Sequence, residues 1–331
     1  MKANNLIESI NKFSVSNIAV IGDLMLDKYI FGMVDRISPE APIPIVKVEK
    51  EKYVPGGAAN VAANISTLGG NPFLHGILGN DSAKETLLEK TEKLKINNHG
   101  IIIQESKTTI QKIRIVAQNQ QLLRIDYEDT NYIDSYTKGQ FVNKLRNHKN
   151  ISVIVISDYA KGTITMDLME NIKDFAKENN ILIIADPKPL HKNFYKDVFL
   201  ITPNKKEAEE MCNMKINSLS DLENCGHQLM RELNCNVVLT NGDKGMSVFE
   251  NGTTVEHIPT KAKEVFDVSG AGDTVVSAIA LALSIGVSLR DAAYLANLAA
   301  GIKVAKVGTA PVDKEELIAL LISESKLFLS E

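Results

Sequence analysis

The sequence predicts an α/β fold, a mostly parallel sheet covered by helices on both faces with a small β-sheet lid beside it, and three observations carry that prediction. Short apolar, β-branched runs recur at NIAVIG (17–22), ISVIVIS (151–157), ILIIA (181–185), VFLI (198–201) and NVVLT (236–240), each suited to a strand buried on both faces. Helical patterns at 165–178, 205–212 and 219–233 alternate with them, and strand alternating with helix implies a parallel sheet. Two stretches break the rhythm. Residues 28–50 carry Pro39, Pro42 and Pro44 before an alternating IPIVKVEK, and residues 99–127 contain TTIQKIRIVAQNQQLLRIDY, again with period-two alternation. Both read as antiparallel strands of a lid built from two insertions. With no repeat, low-complexity tract or linker, residues 1–331 read as one domain with a lid.

Composition narrows the class. The 331 residues are 44% hydrophobic and 24% charged, ordinary for a globular chain with a large core. Trp is absent, aromatics make up 5%, and the formal net charge is −4. A nucleic-acid binder working by stacking or bulk electrostatics is therefore not expected. Cys212, Cys225 and Cys235 lack framework spacing and form no CxxC pair, which suits reduced thiols in the cytoplasm. The N-terminus has no continuous apolar h-region, and the most apolar run, 275–287, is too short to span a bilayer. A cytoplasmic protein with no membrane association is expected.

Parallel sheets bind ligands beyond the carboxyl ends of their strands, so the polar residues ending the runs matter: Asp23, Asp158, Asp186, Asn204 and Asn241. The most telling loop is Ser269-Gly270-Ala271-Gly272, followed by Asp273 and a long apolar stretch. Helix N-termini expose unpaired N–H groups with partial positive charge, and glycine lets an anion approach the backbone. Gly270, Ala271 and Gly272 can cradle a phosphoryl group in transit while Asp273 takes a proton from a hydroxyl nucleophile. Taken alone, the loop reads equally as a turn in which Asp273 complements the helix dipole. A second glycine pair, Gly56-Gly57, precedes an Ala-rich helix with Asn60 one turn in; close backbone approach with an amide for a polar ligand competes there with simple helix packing. Asp23 and Asp27, in GDLMLDKY, are spaced to face one polyol.

Other nucleotide motifs fail. No GxxxxGK[ST] occurs, GAGDTV lacks the third glycine of GxGxxG, and HExxH, GxSxG and the protein-kinase HRD and DFG motifs are missing. What remains resembles the ribokinase-like carbohydrate kinases of the PfkB family along essentially the full length. GGAAN (56–60) is similar to the N-terminal signature and DVSGAGDT (267–274) to the C-terminal DTxGAGD, with Val268 in place of the common Thr. NKKE (204–207) resembles the NxxE motif, and TNGDKG (240–245) the ATP-binding T-x-G-x-x-G stretch. The resemblance implies a three-layer α/β/α sandwich with ATP and Mg²⁺ as cofactors. It places the nucleotide over Asn204, Glu207 and Thr240, Gly242 and Gly245, with Asn297 bordering the adenine and Glu207 acting on Mg²⁺ indirectly.

Within that family, the segment 22–70, the lid stretch 108–128, SDYAKG (157–162) and ADPK (185–188) resemble D-glycero-D-manno-heptose 7-phosphate kinases. The activity implied is phosphorylation of O1 by ATP, giving the 1,7-bisphosphate used for the ADP-heptose of lipopolysaccharide. The chain ends at LFLSE after one kinase domain, so the adenylyltransferase step is expected from another protein. Asp23, Asp27, Gly56, Gly57, Asn60 and Asp158 are candidates for the sugar. Lys112 and Arg114, alternating on one lid face, are candidates for the distal phosphate with Arg124, Lys161 and Lys188; Arg36 either joins them or orders the flap. Each basic residue taken alone reads more readily as a solvated surface charge, and its place in a lid or strand-end motif is what favours the phosphate. Lids of this kind often pair between subunits, so a homodimer is expected. The rival readings are a kinase of the same fold for ribose, fructose 1-phosphate or a nucleoside, and a non-catalytic sensor, for which an intact Asp273 would have no use. A nicotinamide-dependent oxidoreductase lacks its fingerprint glycines.

Overall fold

A computed structural model describes residues 3–118, 120–148, 150–260, 265–306 and 310–327. Position 119 of the second lid segment, Glu264 before the anion loop, and the tail FLSE beyond Leu327 lie outside them. Along the chain, α1 (Ala3–Asn11) precedes β1 (Asn17–Gly22), after which β2 (Leu24–Ile37) and β3 (Pro44–Gly57) run outward and back. There follow α2 (Ala58–Thr67), β4 (Asn71–Leu78), α3 (Ser82–Lys93) and β5 (Asn97–Ile103), then a second excursion of β6 (Ile110–Ala117) and β7 (Gln120–Tyr127). The middle of the chain supplies α4 (Ser135–Arg146), β8 (Val153–Ser157), α5 (Met166–Asn179), β9 (Leu182–Asp186) and β10 (Leu200–Ile201). It continues through α6 (Lys205–Cys212), α7 (Leu219–Leu233), β11 (Asn236–Thr240), β12 (Met246–Phe249) and β13 (Glu256–Ile258) to α8 (Ala271–Ser284), α9 (Leu289–Val304) and α10 (Lys314–Leu327).

Among the described residues the main sheet has nine strands in the order β13-β12-β11-β10-β9-β8-β1-β4-β5. Every pair from β11 to β5 is parallel, and β12 and β13 add an antiparallel edge. Alternate side chains of a strand point to opposite faces, and the core divides accordingly. Ile18 and Val20 of β1, with Val153 and Val155 of β8, pack among α2, α8, α9 and α10. Ala19 and Ile21, with Ile154 and Ile156, pack among α4, α5 and α7. Helices on both faces of a mostly parallel sheet give the expected α/β/α sandwich.

The lid is a separate four-stranded sheet in the order β3-β2-β6-β7, and here the expectations need correcting. Its first half runs over Leu24–Ile37 and Pro44–Gly57, wider than 28–50, so Asp27, Gly56 and Gly57 all lie on lid strands. Its second half begins only at Ile110; β5 is a parallel edge strand of the main sheet, not lid. The lid is also not wholly antiparallel, because β2 pairs with β6 in parallel, Asp27 facing Lys112 and Tyr29 facing Arg114. Period-two alternation marks a strand but not its partner. Strands β4, β12 and β13 have no counterpart among the expected runs.

Candidate active site

Glycine is obligatory at two turns that build the site. Gly57 has φ +55°, and a Cβ there would stand 2.3 Å from the Asp23 carbonyl oxygen. Gly270, the N-cap of α8, has φ +77°, and a Cβ would come within 2.8 Å of the Asn60 amide nitrogen. The left-handed region is open to glycine without steric cost. These turns bring the start of α2 against the start of α8 and place Asn60 beside Asp273 although 213 positions separate them.

Asp273 sits in the first turn of α8 and is 4% exposed. Asn60 Nδ2 donates to its Oδ2 at 2.6 Å, and the Tyr159 hydroxyl donates to its Oδ1 at 2.8 Å. Burial pushes the Asp273 carboxyl above its usual range, and the Asn60 and Tyr159 donors pull the other way. The Asn60 end is itself tied down: Asn64 Nδ2 donates to the Asn60 carbonyl, and Thr274 Oγ1 donates to Asn64 Oδ1. In the anion loop the Ala271 N–H closes a turn on the Val268 carbonyl at 3.2 Å. Of the three amides expected to meet a phosphoryl group, Ala271's is thus engaged within the loop, while Gly270 and Gly272 flank it at the helix N-terminus. Lys303 of α9 is fully buried and packs against Gly270; burial pulls its ammonium below the ordinary lysine range, with Asp267 opposing.

Two expected sugar ligands hold protein instead. The Asp23 carboxylate is wholly enclosed and accepts backbone N–H groups from Tyr159, Lys161 and Thr163. Burial and the neighbouring Asp158 carboxylate lift it above its usual range, against those N–H groups. Asp158, also wholly enclosed, accepts from the Ala160 N–H at 2.7 Å and the Tyr195 hydroxyl, and contacts His191 Nδ1 at 2.6 Å. Buried carboxylates need hydrogen-bond partners, and here backbone N–H groups, Tyr195 and His191 supply them. Together Asp23 and Asp158 clamp the 158–163 loop, and so position Tyr159.

The expected lid cations are paired. Arg114 Nη1 lies 2.6 Å from Asp27 Oδ1, and Gly56 passes beside that carboxylate. Lys112 stands 3.9 Å from Asp126, which Arg124 grips with Nε and Nη2. Lys161 reaches Glu128 at 2.7 Å. Lys112, Arg114, Arg124 and Asp126 thus form one cluster across β6 and β7, the basic groups partly neutralised rather than bare. Arg36 lies near the far end of β2, opposite Ile45, well away from Asp27 along the strand.

On the other side, Asn204 caps α6 by accepting from the Glu207 N–H, and Glu207 Oε2 accepts from the Asn204 N–H. The NxxE motif is therefore a reciprocal capping box in this conformation, and Glu207 Oε1 also takes the Lys188 ammonium. Burial draws that ammonium down, but Glu207 and Asp186 outweigh it and hold it above the usual lysine range. Asp186, at the end of β9, lies beside Gly272. Thr240 bridges to Asn204, and the Gly242 and Gly245 turn follows it. Asn297 is buried and donates to the Pro259 carbonyl at 2.7 Å, anchoring the loop beyond β13.

Residue types and spacing single out Asp273 and Asn60, and the strand-end rule singles out Asp186, but nothing marks Tyr159 or Lys303. Tyr159 does stand just past a strand end, which is the signal that could have found it.

The comparisons agree with this geometry. A family model described as pfkB family carbohydrate kinase matches residues 15–316. The chain is 39% identical over 321 residues to the bifunctional protein HldE of Desulfatibacillum aliphaticivorans, covering 95% of this chain and 66% of that protein. It is 41% identical over 307 residues to the HldE of Geobacter sulfurreducens, covering 92% and 63%. It thus spans slightly less than two thirds of the length of these relatives. Among solved structures, phosphofructokinase-2 of Escherichia coli in complex with substrates and products superposes with a TM-score of 0.78 at 18% identity, covering 93% of this chain and 98% of that one. Arabidopsis thaliana ribokinase complexed with ribose and ATP gives 0.73 at 17%, covering 92% and 98%. The two solved structures share the fold, and the family match extends over most of the chain, from before β1 to within α10: this chain belongs to the pfkB family of carbohydrate kinases.

Proposed function

We propose that the protein transfers the γ-phosphoryl group of ATP to O1 of D-glycero-D-manno-heptose 7-phosphate. The observation that carries a kinase reading is the enclosed Asp273 carboxylate at the N-terminus of α8, directly behind the Gly270–Gly272 loop. The resemblance of the lid and strand-end segments to heptose 7-phosphate kinases, and the similarity to HldE proteins, support the substrate. In the proposed step the O1–H bond breaks and its proton passes to Asp273. An O1–phosphorus bond forms in line as the bond to the β–γ bridging oxygen breaks, releasing ADP. In this reading the Gly270 and Gly272 amides and Lys303 meet the transferring charge, so positioning and electrostatics supply most of the rate. The lid cluster of Lys112, Arg114 and Arg124, with Lys161 and Lys188, is the source of cations for the distal phosphate, reached by exchanging their carboxylate partners.

The residues present fit a Mg²⁺ that arrives with the nucleotide. Both Glu207 oxygens are engaged, by Lys188 and by the Asn204 N–H, and no group of three His, Cys, Asp or Glu among the described residues could hold a metal ion. That suits an ion kept by phosphate oxygens and water, with Glu207 facing it through water. Its chemistry when bound is neutralisation of charge between the β- and γ-phosphates.

The lid also favours a homodimer. All eight residues of β7 are exposed, Leu122, Leu123, Ile125 and Tyr127 among them, as are Met33 and Val48. An apolar sheet face with an open edge invites a second copy. No helix among the described residues is long and apolar enough to cross a membrane. Incubation with Mg²⁺-ATP and, separately, heptose 7-phosphate, unphosphorylated heptose, ribose and fructose 1-phosphate, followed by ³¹P NMR, tests the reading. A new anomeric phosphate only with heptose 7-phosphate is expected. Turnover of a different sugar reassigns the substrate, and no turnover with any revives the sensor.

A further inference from the structure

Asp273 has two protein donors, one on each oxygen, and a carboxylate so engaged is a poor proton acceptor until an incoming hydroxyl takes one of them over. Both donors are anchored, but from different parts of the molecule, Asn60 by Asn64 of its own helix. Tyr159 belongs to the 158–163 loop, four of whose N–H groups are captured by the enclosed carboxylates of Asp23 and Asp158. Its ring also lies under the Lys188 ammonium, 5.3 Å from the centroid. Asn60 stands one turn beyond Gly57, where the chain leaves lid strand β3, so its grip on Oδ2 is coupled to the part of the molecule that must admit substrate.

We propose that Tyr159 is the positioning residue of the transfer step: its phenol fixes Oδ1 of Asp273 permanently, leaving Oδ2 to exchange Asn60 for the sugar hydroxyl. This rests on the reading of Asp273 as the base. Charged groups facing Asp273 come from β2 (Asp27), from the end of β9 and the turn after it (Asp186 and Lys188) and from α9 (Lys303). Burial, followed by the Asp273 and Asp186 carboxylates, drives the Tyr159 phenol well above its ordinary range, so it stays a donor at every working pH. A permanent donor stabilises the carboxylate over the carboxylic acid. Without it, burial acts with less opposition and Asp273 holds its proton to higher pH.

The test is the pH profile of kcat/KM for Tyr159→Phe beside wild type and Asp273→Asn. A lost hydrogen bond to a charged group should move the acid limb up by roughly one to two pH units, while turnover on the alkaline plateau falls by about tenfold or less. A merely structural role would lower the melting temperature and leave the limb in place; an unmoved limb overturns the proposal. Biosynthetic replacement of tyrosine by 3-fluorotyrosine, in a chain that retains every residue position, guards against misfolding of the variant. A more acidic phenol donates more strongly, so the limb should move down, and a limb that stays put again overturns the proposal. If Asp273→Asn keeps turnover within tenfold of wild type, the base assignment itself has failed. If it is inactive while the Tyr159→Phe profile is unchanged, only the role of Tyr159 falls.

Discussion

Strand β8 is a continuous apolar run and strand β7 carries Leu122, Leu123, Ile125 and Tyr127 among polar residues, and all five residues of the first are buried while all eight of the second are exposed. In the main sheet each face is covered by helices, and stability comes from apolar area removed from water. The lid has little such cover. It is held by main-chain ladders and ion pairs, Asp27 with Arg114, Lys28 with Glu51, Arg124 with Asp126, and exposed pairs contribute little. The proposed base therefore sits on the helix-covered body, and three of the proposed cations, Lys112, Arg114 and Arg124, sit on the lid. Rigidity is spent where geometry decides the rate, and compliance where a substrate must enter.

The largest expected effect tests the rigid half. Asp273→Asn should lower kcat by about two to four orders of magnitude, as for loss of a general base, with the KM values for ATP and sugar little changed in steady-state kinetics. Burial holds the Asp273 carboxyl above its unfolded value, so its ionised form is unfavourable to the fold and the variant should melt no lower than wild type near neutral pH. A variant that loses activity by unfolding would break the comparison.

Next in size is a contrast of two truncations. Ile156→Ala removes a fully buried side chain between β1 and β9 and should cost roughly 2–5 kcal/mol in urea titrations. Leu123→Ala on β7, about half exposed, should stay within about 0.5 kcal/mol unless a second copy covers it. Light scattering on both proteins separates these cases, since the lid truncation should weaken a dimer without softening the main sheet. A smaller change is expected for Lys112→Met. Its ammonium is pulled below the ordinary lysine range by burial, with Asp126 opposing, and in its proposed role at the distal phosphate the loss of one charged hydrogen bond should raise the KM for the sugar phosphate by about tenfold to a hundredfold with kcat nearly kept.

How far the sequence could be read follows the same division. Residues buried on both faces write continuous apolar runs, so β1, β8, β9 and β11 stand where those runs stand. Helices α6 and α7 begin and end as expected, because Asn204 with Glu207 and Ser218 with Asp221 form capping boxes. Strand β4 escapes notice because Pro72, His75 and Gly76 interrupt its apolar run, and β5 because its first residues are polar. Motif spacing marks Asp273 with Gly270 and Gly272, and Asn60 with Gly56 and Gly57, because each set is contiguous in the chain, although the two sets meet across 213 positions. It misleads on Asp23 and Asp158, whose partners are backbone groups 136 positions away in one case and a buried Tyr195 in the other. Tyr159 meets Asp273 across 114 positions, and no local pattern encodes such a contact.

The main sheet's own weak point lies on one of these hidden strands. His75 of β4 is fully buried; its Nδ1 contacts the Phe73 carbonyl, and among the described residues its Nε2 has no hydrogen-bond partner. Burial, then the neighbouring His148 and Lys144, pushes its pKa down to about 3. An unfolded chain takes up that proton near pH 6.5, whereas the folded one refuses it until about pH 3. The stability that a neutral imidazole permits is thus complete above pH 6.5 and drains away on acidification toward pH 3, by up to about 1.4 kcal/mol per pH unit. His75→Phe keeps a ring against Phe141 and removes the titration. Urea midpoints between pH 7 and pH 5 should fall less steeply for the variant, with a residual slope from His148, whose half-buried ring is shifted the same way. The slope is the readout, since filling the site with a slightly different ring changes the level at every pH. Equal slopes would mean that acid enters through the lid's carboxylates first, and that the main sheet is not where this molecule fails.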